Sequence, residues 1–123
     1  MYIKICLIII VLFVFIGTPR FVLSPTLPYK MSNWISNKDV VLQKVIDCES
    51  QGNIYAFNPK DSDGFPKYGL LQFHLPTFLN WAEAAGIDNP DVWNPEQQLQ
   101  LYKWAAKNGR LRSWGCFTQL FPK

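Results

Sequence analysis

Glu49 is the residue of this sequence best suited to acid–base chemistry. It closes a stretch whose apolar residues recur at helical spacing and form one apolar arc, made by Val41, Leu42, Val45, Ile46 and Cys48. A helical wheel places Glu49 inside that arc. A carboxylate directed at a core is costly unless it is paired or protonated. We therefore predict that the pKa of Glu49 is raised and that its carboxyl group serves as a proton donor.

A second carboxylate for acid–base chemistry has two candidates, Asp61 and Asp63, which follow Glu49 by 12 and 14 residues. The preferred interpretation of the Asp61–Gly64 segment is a solvated turn, because Asp and Gly supply turn geometry. The alternatives are that one of these aspartates is a second catalytic carboxylate or a metal ligand. The segment has some features of a calcium loop but lacks the terminal Glu of an EF-hand, so we predict no metal site.

The cysteines allow one pair outside the N-terminal apolar run, Cys48 and Cys116. In an exported protein this pair is expected to form a disulfide, which would add about 4 kcal/mol to the free energy of unfolding. Two separate buried thiols are the alternative. Two cysteines without a CxxC motif and one histidine, His74, disfavour zinc. A catalytic Cys48–His74 pair is disfavoured because Cys48 has a disulfide partner available.

The N-terminus is dominated by an unbroken apolar run, Ile5–Gly17. Thirteen residues suit the apolar part of a secretion signal better than a bilayer span of about 20, but no good cleavage site follows. We predict a signal peptide or membrane anchor over 1–18, a Pro-containing linker over 19–33 and a folded domain over 34–123. A buried core helix is disfavoured because the run has no polar face. The protein is expected to be extracytoplasmic, either secreted or anchored to the membrane.

Charge and aromatic content narrow the class of ligand. The net charge is +3 with scattered Lys and Arg, which argues against nucleic acid. Aromatic residues make up 15% of the chain, and the five tryptophans exceed what so small a core needs. We expect about three to fill the core and the others to line a groove, where indole faces stack on sugar rings. Trp93 and Trp114 suit either role.

Local signals predict a mostly helical domain. Ser36 with Asp39 predicts a capping box for the first helix, and Gly52 its end. A loop follows, then a short β-prone or irregular segment at Tyr68–Phe73. The second helix is predicted to have Pro76 in its first turn, to reach Ala85 and to stop at Gly86, with Leu75, Phe78, Leu79 and Ala82 on its apolar face.

The C-terminal half contains the strongest helix start of the chain. Asn94-Pro95 with Gln97 combines an N-cap, a proline in the first turn and a capping box. This helix is predicted to run to about Lys107 and to stop at Asn108-Gly109. A last short helix over Leu111–Phe117 would return Cys116 to Cys48. The small hairpin or loop between the first two helices would be an insert in a helical domain.

Several motifs occur in a fixed order along residues 37–117. They are Glu49-Ser50, Ala56-Phe57-Asn58-Pro59, Tyr68-Gly69-Leu70-Leu71-Gln72-Phe73, Pro76-Thr77-Phe78, Asn94-Pro95 with Gln97-Gln98-Leu99, and Trp114 near Cys116. In this order and spacing they resemble the lysozyme-like superfamily, with the greatest similarity to SLT-type lytic transglycosylase and resuscitation-promoting factor domains. The resemblance implies a mainly α, α+β lysozyme-like fold with a hairpin or loop as one cleft wall.

The resemblance also implies roles for individual residues. Glu49 matches the catalytic acid/base, and Ser50 matches the adjacent serine that orients it or the substrate. The segment lining the far side of the cleft corresponds to Gly69, Leu70 and Gln72, flanked by Tyr68 and Phe73. Asn58 and Trp114 are further candidate substrate contacts, although Asn58 equally suits a turn and Trp114 the core. The Cys48–Cys116 pair resembles the bridge of the resuscitation-promoting factor group.

Two departures from the family pattern matter. The late Tyr-Asn segment of many SLT enzymes is missing, so Tyr102 or Tyr55 would have to take the place of its tyrosine. The near-minimal length predicts a short groove.

The function implied is cleavage of the β-1,4 bond of peptidoglycan by one glutamate, with a 1,6-anhydro product. A hydrolase using Asp61 or Asp63 as second carboxylate is the alternative. A silent glycan-binding module and an assembly or adhesion factor are further rivals. We expect a monomer that contacts peptidoglycan strands and, through its N-terminal segment, the membrane, and that uses no cofactor.

Overall fold

The computed structural model describes residues 39–123, so the predictions for the N-terminal apolar run, the linker, Trp34 and Ser36 lie outside the described residues. The described part is mainly helical, with one two-stranded sheet. Its elements are α1 (Val40–Glu49), β1 (Phe57–Asn58), β2 (Lys67–Tyr68), α2 (Leu75–Ala84), α3 (Pro95–Lys107), a 3-10 turn (Leu111–Ser113) and α4 (Gly115–Leu120). Within these residues, no helix combines the length and the apolar character that a membrane crossing requires.

Helix α1 begins later than the predicted capping box implies. Asp39 is itself the N-cap, because its carboxylate accepts a hydrogen bond from the Leu42 amide at 2.9 Å. Ser36, the predicted N-cap, lies outside the described residues, and Asp39, predicted as the third residue of the helix, is the N-cap instead. At the other end, Ser50 is the C-cap, and both Gln51 and Gly52 have positive φ angles of 55° and 79°. The left-handed turn at Gly52 was predicted, but it already starts at Gln51.

The predicted ends of α2 and α3 agree closely with the structure. Pro76 lies in the first turn of α2, and Gly86 follows its end with a φ of 70°. The Asn94 side chain caps α3 by accepting from the amides of Glu96 and Gln97. The Gln97 side chain does not close the capping box, however. It accepts from the Asp91 amide instead, and so ties the preceding loop to α3.

A short antiparallel hairpin connects α1 with α2, as the sequence predicts. Phe57 lies opposite Tyr68 and Asn58 opposite Lys67. The pairing continues as a single bridge between Tyr68 and Phe73, so the chain turns back on itself immediately after β2. At the C-terminus, the predicted single helix is instead a 3-10 turn and α4, separated by Trp114, whose extended backbone interrupts the helical path.

The core lies between the buried faces of α1, α2 and α3 and the segment after β2. Its fully buried large apolar side chains are Leu42, Val45, Ile46, Leu70, Leu71, Phe78, Leu99 and Leu101. Full burial of one such side chain contributes about 1.5–3 kcal/mol to folding. The predicted apolar face of α2 is partly wrong. Phe78, Trp81 and Ala82 are buried, whereas Leu75 and Leu79 are 40% and 41% exposed.

Of the tryptophans in the described residues, Trp81 and Trp114 are buried, Trp104 packs at the edge of the core, and Trp93 is exposed. About three thus belong to the core, as predicted. Trp93 contacts the rings of Phe57 and Tyr68 on the outside of the hairpin.

Candidate functional site

Glu49 lies on the side of α1 that faces the core. Val45 and Ile46 precede it by four and three residues and are fully buried, so Glu49 extends their face by one turn. Its carboxyl group is half-buried at the end of the helix. Loss of water around it is the largest effect on this group and raises the pKa of Glu49 above its ordinary value.

Three neighbours of Glu49 modify this shift. The backbone amide of Cys116 donates a hydrogen bond to Glu49 Oε1 at 3.3 Å and lowers the pKa, as does the positive charge of Lys67. The negative charge of Asp61 raises it. Burial outweighs the two lowering effects, so the net direction is upward. Compared with a glutamate in water, the site therefore stabilises the protonated acid, and it keeps an amide donor in place for the carboxylate form.

The predicted disulfide is present between Cys48 and Cys116, with the two Cα atoms 5.9 Å apart. It joins the last turn of α1 to the first turn of α4. Because Cys48 immediately precedes Glu49, and Cys116 supplies the amide that contacts the carboxylate, the covalent bond holds the backbone of Glu49 close to that amide. The bridge therefore has a positioning effect as well as a stabilising one.

Lys67 and Asp61 form an ion pair across the hairpin. The hydrogen bond from Lys67, followed by the backbone amide of Ser62, lowers the pKa of Asp61 below its ordinary value. Asn58 also donates to Asp61, at 3.3 Å, and accepts from the Lys60 amide at 3.2 Å. Asn58 thus shapes the loop, as expected for a turn residue. Lys67 was not recognised from the sequence, where a single Lys in a loop carries no signal.

The segment after β2 is held by its own glutamine. Gln72 has a φ of 49°, and its Nε2 donates to the carbonyl oxygens of Gly69 at 2.9 Å and Ala56 at 3.2 Å. Leu70 is fully buried, so its side chain anchors the segment in the core. Of the residues predicted to line the cleft wall, Gly69 therefore contributes its backbone carbonyl, and Leu70 packs into the core. The side-chain nitrogen of Gln72 is already used in the hydrogen bonds that hold the turn.

Gln98 is a buried residue whose importance the sequence does not reveal. Its Oε1 accepts from the Leu71 amide at 2.7 Å, and its Nε2 donates to the carbonyls of Tyr68 and Val92. A Cβ atom at Gly69 would collide with the Gln98 Nε2, which explains the glycine. The available signal was the helical spacing, because Gln98 lies three residues before Leu101 on the buried face of α3.

The remaining residues that were predicted to contact the substrate lie on different sides of the hairpin. Phe73 and Trp114 are 3% and 5% exposed and stack edge-on at 5.3 Å. The indole nitrogen of Trp114 donates to the Leu71 carbonyl at 2.8 Å. Tyr68 points to the other side, against Phe57 and Trp93. The Ser50 hydroxyl donates to the Ile46 carbonyl at 3.4 Å, within its own helix.

A cavity of about 330 Å³ lies next to this region. Phe73, Trp81 and Trp114 contribute its aromatic lining, and its polar lining comes from Asp63, Lys67, Gln72, His74, Thr77, Arg110 and Ser113. Glu49 itself does not line this cavity, and the link between the two is the charge of Lys67, which acts on the Glu49 carboxyl. A second groove of about 410 Å³, more apolar, lies on the Tyr68 side between Phe65 and Pro76.

His74 Nε2 lies 3.0 Å from an Asp63 carboxylate oxygen, yet this buried nitrogen makes no hydrogen bond with the described residues. One ligand atom each from Asp61, Asp63 and His74 falls within 4.8 Å of the others. These groups fit a cation poorly, because the ammonium of Lys67 is already bound to Asp61 and would repel it. The cluster is better described as the charged rim of the loop.

We compared the chain with known protein families, curated proteins and solved structures, and none of them matches it.

Proposed function

We propose that the protein is a peptidoglycan lytic transglycosylase of the lysozyme-like fold, with Glu49 as its single acid/base. The observation that carries the proposal is the half-buried Glu49 carboxyl, whose pKa is raised by burial and whose Oε1 accepts from the Cys116 amide. The ordered motifs from Glu49-Ser50 to Trp114 support the family. The hairpin between α1 and α2 also agrees with such a fold.

The chemistry requires one group that donates and then accepts a proton. Glu49 would protonate the bridging oxygen as the bond from that oxygen to C1 of the muramic acid breaks. The C6 hydroxyl of the same sugar would then bond to C1, and its proton would pass to the Glu49 carboxylate. Glu49 returns to its starting state, and no water is consumed. The Cys116 amide would stabilise the carboxylate between the two proton transfers.

Hydrolysis by a second carboxylate is the alternative, and one observation favours it. Asp61 is the carboxylate of the described residues whose charge acts on Glu49. Its oxygens are engaged by Lys67 and Asn58, however, and its pKa is lowered. A carboxylate held in this way is a poor base for water, since its proton affinity is reduced. The single-glutamate route is therefore preferred.

The substrate and the place of action follow from the same proposal. Peptidoglycan lies outside the cytoplasmic membrane, and a disulfide between Cys48 and Cys116 suits an oxidising compartment. The N-terminal apolar run would deliver the domain there as a cleaved signal or hold it as an anchor. The partners are then the glycan strands and the membrane.

Product analysis tests the reaction directly. The full chain in detergent micelles is incubated with purified peptidoglycan, and the released fragments are identified by mass spectrometry, with Glu49→Gln as control. Anhydro-muropeptides released by the parent but not by the variant support the proposal. Reducing-end products would instead identify a hydrolase. Binding to the sacculus without release would identify a glycan-binding module.

A further inference from the structure

Arg110 occupies an unusual position at the 330 Å³ cavity. It follows Gly109 at the end of α3, and its backbone amide donates to the Ala105 carbonyl at 2.8 Å. Its guanidinium carbon lies 5.9 Å from the centre of the Trp104 ring, a cation–π distance. The backbone bond fixes the position of Arg110 in the chain, and the contact with Trp104 is the one that restrains its exposed side chain, which lines the cavity.

The charges around Arg110 leave its guanidinium open to a ligand. Lys67 is paired with Asp61, and Asp63 lies 3.0 Å from His74 Nε2 without forming a hydrogen bond with it. No carboxylate of residues 39–123 pairs with Arg110. The surroundings of the cavity therefore contain one ion pair, one Asp63–His74 contact and one cation, Arg110, whose hydrogen-bond donors are available. A planar guanidinium with free donors suits a carboxylate, which it binds with two parallel hydrogen bonds.

The remaining lining fits a small acidic group attached to a sugar. Thr77 and Ser113 add hydroxyl groups, and Phe73, Trp81 and Trp114 add aromatic surface. A volume of about 330 Å³ is at the small end of ligand sites, which run from about 300 to 1,000 Å³. Glu49 is not among the residues that line the cavity, but Lys67, which lines it, has a charge that acts on the Glu49 carboxyl.

We propose that this cavity is a carboxylate subsite in which Arg110 binds an acidic substituent of the muramic acid. The carboxylate belongs either to the lactyl group of that sugar or to the peptide attached to it. This inference rests on the proposed function, because it names the feature of the glycan that the same site would select. Arg110 is then a residue that determines specificity, while Glu49 performs the chemistry.

Binding measurements separate the two sources of the carboxylate. Three soluble disaccharides of GlcNAc and MurNAc are titrated into the full chain by calorimetry. One has a free lactyl carboxylate, one has an attached Ala-Glu dipeptide with free carboxylates, and one has that dipeptide with both carboxylates as carboxamides. Arg110→Gln removes the guanidinium. Arg112→Gln is the matched control, because Arg112 is exposed, donates to the Phe121 carbonyl and is not part of the cavity lining.

We expect the parent to bind one of the two carboxylate-bearing ligands about tenfold more tightly than the carboxamide, as a charge-assisted hydrogen-bond pair predicts. Arg110→Gln should abolish this difference, and Arg112→Gln should keep it. Which acidic ligand binds more tightly identifies the source. Equal binding of all three ligands, no binding of any, or a difference that survives in Arg110→Gln would overturn the subsite.

Because these are binding measurements, they do not depend on cleavage. Loss of the proposed activity with an Arg110-dependent difference retained would refute the reaction alone. Cleavage without such a difference would refute the subsite alone.

Discussion

The amide nitrogen of Cys116 lies 3.3 Å from Oε1 of Glu49, and Cys116 is also covalently bonded to the residue that precedes Glu49. The disulfide and the hydrogen bond thus close a small ring between α1 and α4. In such a ring the disulfide keeps the end of α1 next to the amide that the Glu49 carboxyl contacts. This relationship connects the stability of the domain with the chemistry proposed for it.

Reduction of the disulfide should therefore destabilise the protein and loosen the site. The bridge spans 68 residues, and loop closure over that length is worth about 4 kcal/mol of unfolding free energy. Urea unfolding with and without dithiothreitol measures the loss. The Cys48→Ser, Cys116→Ser double variant is the control and should resemble the reduced parent in both conditions. An unchanged urea midpoint on reduction would refute the stabilising role.

The raised pKa of Glu49 predicts a specific pH dependence of stability. A carboxyl group whose pKa is higher in the folded state favours folding when protonated, so its contribution is complete below the ordinary value of 4.5. That contribution is lost as the pH rises through the raised pKa. Glu49→Gln stays neutral and avoids the loss. Its melting temperature relative to the parent should increase from pH 4 to pH 7.

Thermal unfolding of parent and variant across this range provides the measurement. Glu83→Gln is the matched control, because it removes an exposed carboxylate from α2. A constant difference between Glu49→Gln and the parent would show that burial does not raise the pKa of Glu49.

Opposite charges on the hairpin should shift the pKa of Glu49 in opposite directions. Asp61→Asn removes a charge that raises this pKa and leaves Lys67 unpaired, so the pKa should fall. Lys67→Met removes a charge that lowers it, so the pKa should rise. Carboxyl NMR titration of Glu49 measures both shifts without requiring activity. Asp63→Asn is the control and should change little, because the charge of Asp63 is not among those that shift the pKa of Glu49. Shifts of the same sign in both variants would contradict this arrangement.

Gly69 should tolerate no side chain, for two separable reasons. Its φ of 73° is left-handed, which costs a non-glycine residue about 1–2 kcal/mol. A Cβ atom would also collide with Gln98. Gly52 has a similar φ of 79° but open space around it, so Gly52→Ala measures the backbone cost alone. Chemical denaturation should show a larger loss for Gly69→Ala. Equal losses would mean that Gln98 moves aside freely.

Local signals in the sequence predict most helix ends. Asn94-Pro95 and Gly86 act through their own backbone and caps, so their effect does not depend on the rest of the fold. The exposed positions of Leu75 and Leu79 were not predictable in this way, because the facing elements decide which side of α2 is buried. The same holds for Gln98, whose partners Tyr68 and Leu71 lie 30 and 27 residues away.

For the candidate site, the sequence predicts Glu49 and the disulfide but not the groups that tune them. Glu49 was detectable because a carboxylate interrupted an apolar helical face. Lys67 and Arg110 were not, since an isolated basic residue in a loop is common at protein surfaces. Only the folded chain brings Lys67 within electrostatic reach of Glu49 and places Arg110 at the cavity.

The central claim is that one glutamate performs the reaction, and Glu49→Gln tests it most directly. The rate of anhydro-muropeptide release from purified peptidoglycan is compared between the full-length parent and this variant, with circular dichroism to confirm equal folding. A general acid contributes about 10²–10⁴-fold to such a rate. We therefore predict that the variant releases anhydro-muropeptides at least about 10²-fold more slowly than the parent. A folded Glu49→Gln variant that cleaves as fast as the parent would contradict the account.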